Sequence, residues 1–97
     1  MTTEKELDGM AAIVTGSTGN IGRNIALSLA KAGASVVING RTSGDVAAEV
    51  VKEIEAAGGK AIVHLADVTS EDQVQGMIDA AVKAFGRLDI LINNVGP

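Results

Sequence analysis

Four short apolar runs alternate with three longer amphipathic stretches along the chain. Met10 to Thr15 (MAAIVT), Ser35 to Asn39 (SVVIN), Ala61 to Leu65 (AIVHL) and Leu88 to Asn93 (LDILIN) are nearly continuous in apolar content. That is the pattern of parallel strands covered on both faces. The stretches between them place Ile21, Ile25 and Leu29, then Val46, Val50 and Ile54, then Val74, Ile78, Ala81 and Phe85 at spacings of three and four. Each set lies on one face of a helix. Gly33, Gly58 and Gly86 follow the helical runs, where a left-handed terminal residue costs least as glycine, and Ser70 with Gln73 forms a capping-box pattern.

The order β-α-β-α-β-α-β predicts an α/β fold, a Rossmann-type doubly wound parallel sheet with right-handed crossovers and strand order 3-2-1-4. The fourth run would then lie at an edge, although LDILIN carries one charge and otherwise suits a sheet interior. Residues 1–97 are therefore expected to form a single, partial domain truncated after strand 4. The alternative is a small protein complete at this length, its edge covered by oligomerisation.

Composition narrows the chemistry. The chain has 97 residues, with 12 acidic against 8 basic side chains and a net charge of −4. That balance argues against nucleic acid or an anionic membrane as partner. There is no cysteine, so no disulfide, thiolate metal cage or cysteine nucleophile, and no metal site is expected. The polar start and the lack of roughly 18 consecutive apolar residues argue against a signal peptide or a membrane span. A cytoplasmic location is the expectation, and the mean hydropathy of +0.29 reflects a buried interior.

Candidate chemistry follows the first strand directly, in Thr15-Gly16-Ser17-Thr18-Gly19-Asn20-Ile21-Gly22. A glycine-rich turn between a strand and a helix suits a dinucleotide pyrophosphate, because the helix N-terminus presents free N–H groups and a partial positive charge. Gly16 permits the tight turn, Gly19 leaves room for the pyrophosphate, and Gly22 lets the helix approach the strand. Ser17 and Thr18 add hydroxyls. No Gly-Lys-Ser/Thr follows, which argues against a nucleoside-triphosphatase loop. At the end of the second strand, Asn39-Gly40-Arg41-Thr42-Ser43 lacks the carboxylate that would hold a ribose 2′-hydroxyl. Arg41, helped by Thr42 and Ser43, suits a 2′-phosphate and so NADP, with NAD as the alternative. The missing carboxylate also counts against S-adenosylmethionine. Asp67-Val68, after the third strand, offers an acceptor for an adenine amino group, or else simply starts a helix. Asn93-Asn94-Val95-Gly96 offers amides that either fix strand ends or line the cofactor floor.

Taken together, the loop at 15–22, Asp67-Val68 and LDILINNVG at 88–96 resemble the short-chain dehydrogenase/reductase family over essentially the whole chain. The resemblance implies NAD or NADP binding and hydride transfer to or from a carbonyl or alcohol, acyl-carrier-protein ketoreductases and sugar or polyol dehydrogenases being among the similar groups. It places Gly16, Ser17, Asn20, Ile21 and Gly22 around the pyrophosphate and adjoining ribose, and Arg41 at the 2′-phosphate. Asp67 and Val68 would meet adenine, with Asn94, Val95 and Gly96 near the adenosine ribose and the central cofactor. Asn20 stands where the commonest family loop has glycine, a residue type that tolerates a left-handed conformation. Gly19 stands where many NADP-preferring members have a basic residue, and Val95 replaces a signature alanine.

The family's acid/base tyrosine, and the lysine four residues beyond it, have no counterpart, since the chain contains no tyrosine. No catalytic residue is assigned. His64, the sole histidine, is expected to pack against a helix layer rather than to substitute. The reading is therefore the cofactor-binding part of an NADP-dependent reductase, inactive alone, whose complete protein is a homo-oligomer taking a small carbonyl or alcohol substrate. The alternatives are a non-catalytic dinucleotide-binding or interaction module and an NAD-dependent member.

Overall fold

The computed structural model describes residues 5–94. In chain order the elements are β1 (Ala11–Val14), α1 (Asn20–Lys31), β2 (Ser35–Ile38), α2 (Gly44–Ala56), β3 (Ala61–Val63), α3 (Glu71–Phe85) and β4 (Ile90–Ile92). The four strands are parallel in the order β3-β2-β1-β4, the doubly wound α/β arrangement that the alternation predicts. Ala11 to Val14 pair with Ser35 to Ile38 on one side, and Ala12 to Val14 pair with Ile90 to Ile92 on the other.

Neighbouring residues of a strand point to opposite faces. Val14, Val36 and Ile38 join Ala26, Ala47, Val50 and Ile54 in the layer beneath α1 and α2. Ile13 and Val37 join Met77 and Ala81 beneath α3. Both faces are covered, and that is why β1 and β2 read as unbroken apolar runs. The strands are shorter than those runs, however. β3 and β4 keep only three residues each because they are the edges, and Val63, Leu65 and Leu91 are exposed there.

The packing of α1 departs from its apolar spacing. Ile21 is 70% exposed, while Gly22 and Ala26 are the buried positions. The helix lies too close to the end of β1 for larger residues: a Cβ on Gly22 would sit 2.2 Å from the Gly16 carbonyl oxygen and 2.6 Å from Asn94 Nδ2. Ile25 and Leu29 pack on the margin of the core instead. An exposed ion pair between Arg23 and Glu53 links α1 to α2.

Helix ends follow the punctuation. Gly33, Gly58 and Gly86 all have the left-handed backbone expected of them. Ser70 Oγ accepts from the Gln73 N–H at 3.3 Å, but the Gln73 side chain accepts from the Asp67 N–H at 2.7 Å. Only half of the expected capping box forms. His64 is half-buried and lies over α3, its Nε2 3.9 Å from where a Cβ on Gly76 would be.

One carboxylate ties β4 to β1. Asp89 Oδ2 accepts from the Ala11 N–H at 2.9 Å, the Asp89 N–H donates to the Ala11 carbonyl at 2.9 Å, and Arg87 forks onto both carboxylate oxygens at 2.7 and 2.8 Å. Arg87 first, and the Ala11 N–H second, hold the Asp89 carboxyl below its ordinary range. A group whose folded pKa is depressed contributes stability above its unfolded pKa, and loses it as pH falls through the folded value.

Two glycine substitutions in helices should have opposite signs. Gly22→Ala should destabilise by about 1–3 kcal/mol through overpacking, because its new methyl meets main chain. Gly76→Ala meets only ordinary contact and should stabilise by about 0.5–1 kcal/mol through helix propensity. Urea denaturation of both variants checks the pair. Asp89→Asn should lower the melting temperature at neutral pH, and its gap to the parent chain should close below about pH 4, as thermal scans across acid pH would show.

Candidate active-site region

The loop leaving β1 is held from both sides. Gly16 takes a left-handed turn at φ 62°. Thr15 is buried; its Oγ1 accepts from the Asn94 N–H at 2.9 Å and lies 3.3 Å from the Asn93 Oδ1 and Ile92 carbonyl acceptors. The Asn94 Nδ2 donates to the Gly16 carbonyl at 3.4 Å. The tandem asparagines thus fix strand ends, one of the two roles read for them. Val95 and Gly96 lie outside the described residues.

Asn39 is the centre of this region, and no motif singled it out. It is 1% exposed. Its Oδ1 accepts from the Gly16 N–H at 3.1 Å, and its Nδ2 donates to the His64 carbonyl at 3.1 Å and the Ala66 carbonyl at 3.4 Å. Its main-chain N–H donates to Ser17 Oγ at 2.7 Å, while its carbonyl accepts from the Ser17 N–H at 2.7 Å. One side chain therefore joins the carboxyl ends of β1, β2 and β3. The signal was available in the sequence as a polar residue ending a buried apolar run, which must find internal partners.

The same contacts give Ser17 a different surrounding from the one expected. Its side chain is fully buried and its hydroxyl is engaged by Asn39, so it faces the protein rather than the outside of the loop. Thr18 lies over Gly40, where an added Cβ would come 2.9 Å from Thr18 Cγ2. Gly19 has extended backbone, at φ −93°, and nothing within 4 Å of an added Cβ. Asn20 is the first residue of α1, and among the described residues no non-glycine has positive φ. The left-handed tolerance of asparagine is not used there, because the position is helical.

Asn20, Ile21 and Gly22 precede the first intrahelical bond, from the Arg23 N–H to the Gly19 carbonyl. No side chain caps α1 and no acidic residue lies in its first turn. α3, by contrast, has Ser70 as cap and Glu71 and Asp72 in its first turn. The start of α1 thus keeps a positive end uncompensated by its own side chains.

Arg41 and Asp67 meet across the mouth of a cavity. The Arg41 Nη2 lies 3.1 Å from Asp67 Oδ2, with Arg41 76% exposed. Asp67 Oδ1 accepts from the Thr69 N–H at 2.9 Å and from Thr69 Oγ1 at 2.6 Å. Thr69 chiefly, and Arg41 after it, hold the Asp67 carboxyl below the usual carboxylate range. Thr42 is exposed, and Ser43 precedes α2 without a side-chain capping bond. The cavity, about 200 Å³, is lined by Gly16, Thr18, Asn39, Gly40, Arg41, Ala66, Asp67, Val68 and Thr69. It lies at the carboxyl ends of β1, β2 and β3, where open α/β sheets take ligands. A larger hollow of about 550 Å³, lined by Lys5, Leu27, Ala30, Lys31, Glu53, Ile54, Ala57 and Gly59, lies at the opposite ends of the strands and contains none of these residues. Among the described residues there is no cluster able to hold a metal ion, and no helix is long and apolar enough to cross a membrane.

Residues 10–97 match the model of the short chain dehydrogenase family. An uncharacterized oxidoreductase of Methylorubrum extorquens is 52% identical over 91 residues, covering 94% of this chain and 37% of the relative. The 7alpha-hydroxysteroid dehydrogenase of Escherichia coli K12 is 44% identical, with 93% and 35% covered. Among solved structures, a hydroxysteroid dehydrogenase from Escherichia coli superposes with a TM-score of 0.88 at 43% identity, covering 96% of this chain and 39% of that one. A dehydrogenase/reductase from Sinorhizobium meliloti reaches 0.91 at 40% identity, covering 96% and 37%. The chain spans little more than a third of the length of the curated relatives it matches. With fold, loop and sequence in agreement over nearly all its residues, the chain belongs to the short-chain dehydrogenase family of oxidoreductases.

Proposed function

We propose that this chain is the NADP-binding part of a reductase or dehydrogenase that moves a hydride between nicotinamide and a carbonyl or alcohol. The observation that carries the reading is one cavity bounded by three separate segments of chain: the glycine loop, Arg41 and Asp67-Val68. Beside it the start of α1 offers N–H groups and positive charge to a pyrophosphate, and Gly16, Thr18, Gly19, Asn20, Ile21 and Gly22 form that corner. Bound nicotinamide supplies the hydride chemistry. The chain's own residues bind and orient, with Ser17 and Asn39 holding the loop in shape from within.

The preference for NADP rests on the end of β2. Gly40 carries no carboxylate to take a ribose 2′-hydroxyl, and a Cβ added there would come 2.9 Å from Thr18 Cγ2. Arg41 follows directly, exposed and with most of its donors directed to solvent, suited to a 2′-phosphate with Thr42 and Ser43 nearby. Asp67 and Val68 line the wall expected to meet adenine. Asn94, with Val95 and Gly96 beyond it, lies on the side expected to approach the central cofactor. The substrate class is a small carbonyl or alcohol, with acyl, polyol and, from the names of relatives, hydroxysteroid or hydroxynaphthalene compounds as candidates.

Titration calorimetry with NADP and NAD tests the reading. Arg41→Ala should weaken NADP by roughly ten- to a hundredfold, the scale of a lost charge-assisted hydrogen bond, and leave NAD within about twofold. An equal loss for both would remove the 2′-phosphate role. With NADPH and a carbonyl substrate the 97-residue chain should bind without turnover, since it has no tyrosine to supply the proton. Loss of reduced-nicotinamide absorbance would contradict that.

A further inference from the structure

The Arg41–Asp67 pair is asymmetric. Asp67 is immobilised: Thr69 donates twice to Oδ1, and the Asp67 N–H donates to Gln73 Oε1 at 2.7 Å. Arg41 is a long, exposed side chain whose contact here is a single hydrogen bond to Oδ2. An exposed ion pair of this kind is weak, so the guanidinium is free to swing to another anion while the carboxylate stays behind. Any group that recruits Arg41 at this cavity must take it from Asp67 or share it with Asp67. A 2′-phosphate arriving there is repelled by a fixed negative charge on the same wall; a neutral 2′-hydroxyl is not.

We infer that Asp67 sets cofactor specificity by restraint: it holds Arg41 and stands as a fixed like charge beside a 2′-phosphate, narrowing the preference for NADP over NAD. The inference rests on the dinucleotide reading above and adds to it a residue that acts against the phosphorylated cofactor. Like charges placed together penalise one partner selectively, which is a question of ratio rather than of overall affinity.

The test is the NADP-to-NAD affinity ratio of the full chain, by titration calorimetry, for the parent and for Asp67→Asn. Asparagine can still accept both Thr69 donors through its Oδ1 while removing the charge. Asp67→Ser, which keeps an acceptor for the Thr69 N–H, is a second neutral variant should the first fold poorly. The ratio should move about tenfold towards NADP in each, and the gain should shrink as salt is added. A loss of adenine contact common to both cofactors cancels in the ratio. An unchanged ratio, or a move towards NAD, overturns the inference while the dinucleotide reading stands. Failure of the parent chain to bind either dinucleotide overturns both.

Discussion

Main-chain groups that leave the hydrogen-bond ladder at the carboxyl ends of three parallel strands must find partners away from water, and the Asn39 carboxamide supplies them. An aliphatic residue there would leave the Gly16 N–H and the His64 and Ala66 carbonyls unpaired by this side chain, at about 1–3 kcal/mol for each group left buried and unsatisfied. The requirement reaches beyond position 39. With asparagine turned inward, Gly40 lies under Thr18, and the first side chain free to meet a ligand at this strand end is Arg41. On the NADP reading proposed above, discrimination between nucleotides rests one residue further along, on a side chain of opposite charge.

The glycine loop divides along the same line. Thr15, Ser17 and Gly22 face inward and are fixed by β2, β4 and the approach of α1. Gly19, Asn20 and Ile21 face outward with little to hold them in the protein. An inward half that is rigid and an outward half that is open is what preorganised anion binding by main-chain groups requires. It also explains why the apolar Ile21 is not part of the core: the helix turns its small residues to the sheet.

Much of this was legible in the residues. Alternation of apolar runs and helical faces gives a parallel sheet covered on both sides, and 3-2-1-4 is the common order among such doubly wound sheets. The glycines after each helix mark their ends for a local reason, a left-handed backbone. What the sequence did not display are features that depend on distant partners. Asn39 bonds to residues 22 to 27 positions away, and Arg41 meets Asp67 across 26. Gln73 matches a capping box, yet its side chain serves the loop before the helix. The burial of Gly22 and Ala26 rather than Ile21 follows from the distance between α1 and β1, which no periodicity encodes. The apolar runs at β3 and β4 are longer than the strands they form, because apolar content does not mark where pairing stops along an edge.

The junction at the end of β2 carries a chemical liability as well as a structural role. Asparagine followed by glycine is the dipeptide most prone to lose its side-chain nitrogen as ammonia, through attack by the following amide on the carboxamide carbon. In the folded chain that carboxamide is clamped between neighbouring strands. Each unfolding event exposes it to cyclisation. The aspartate or isoaspartate left behind would present an anion to two carbonyl oxygens where an amide once donated. Folding thus shields its own keystone from that attack for as long as the carboxamide stays clamped.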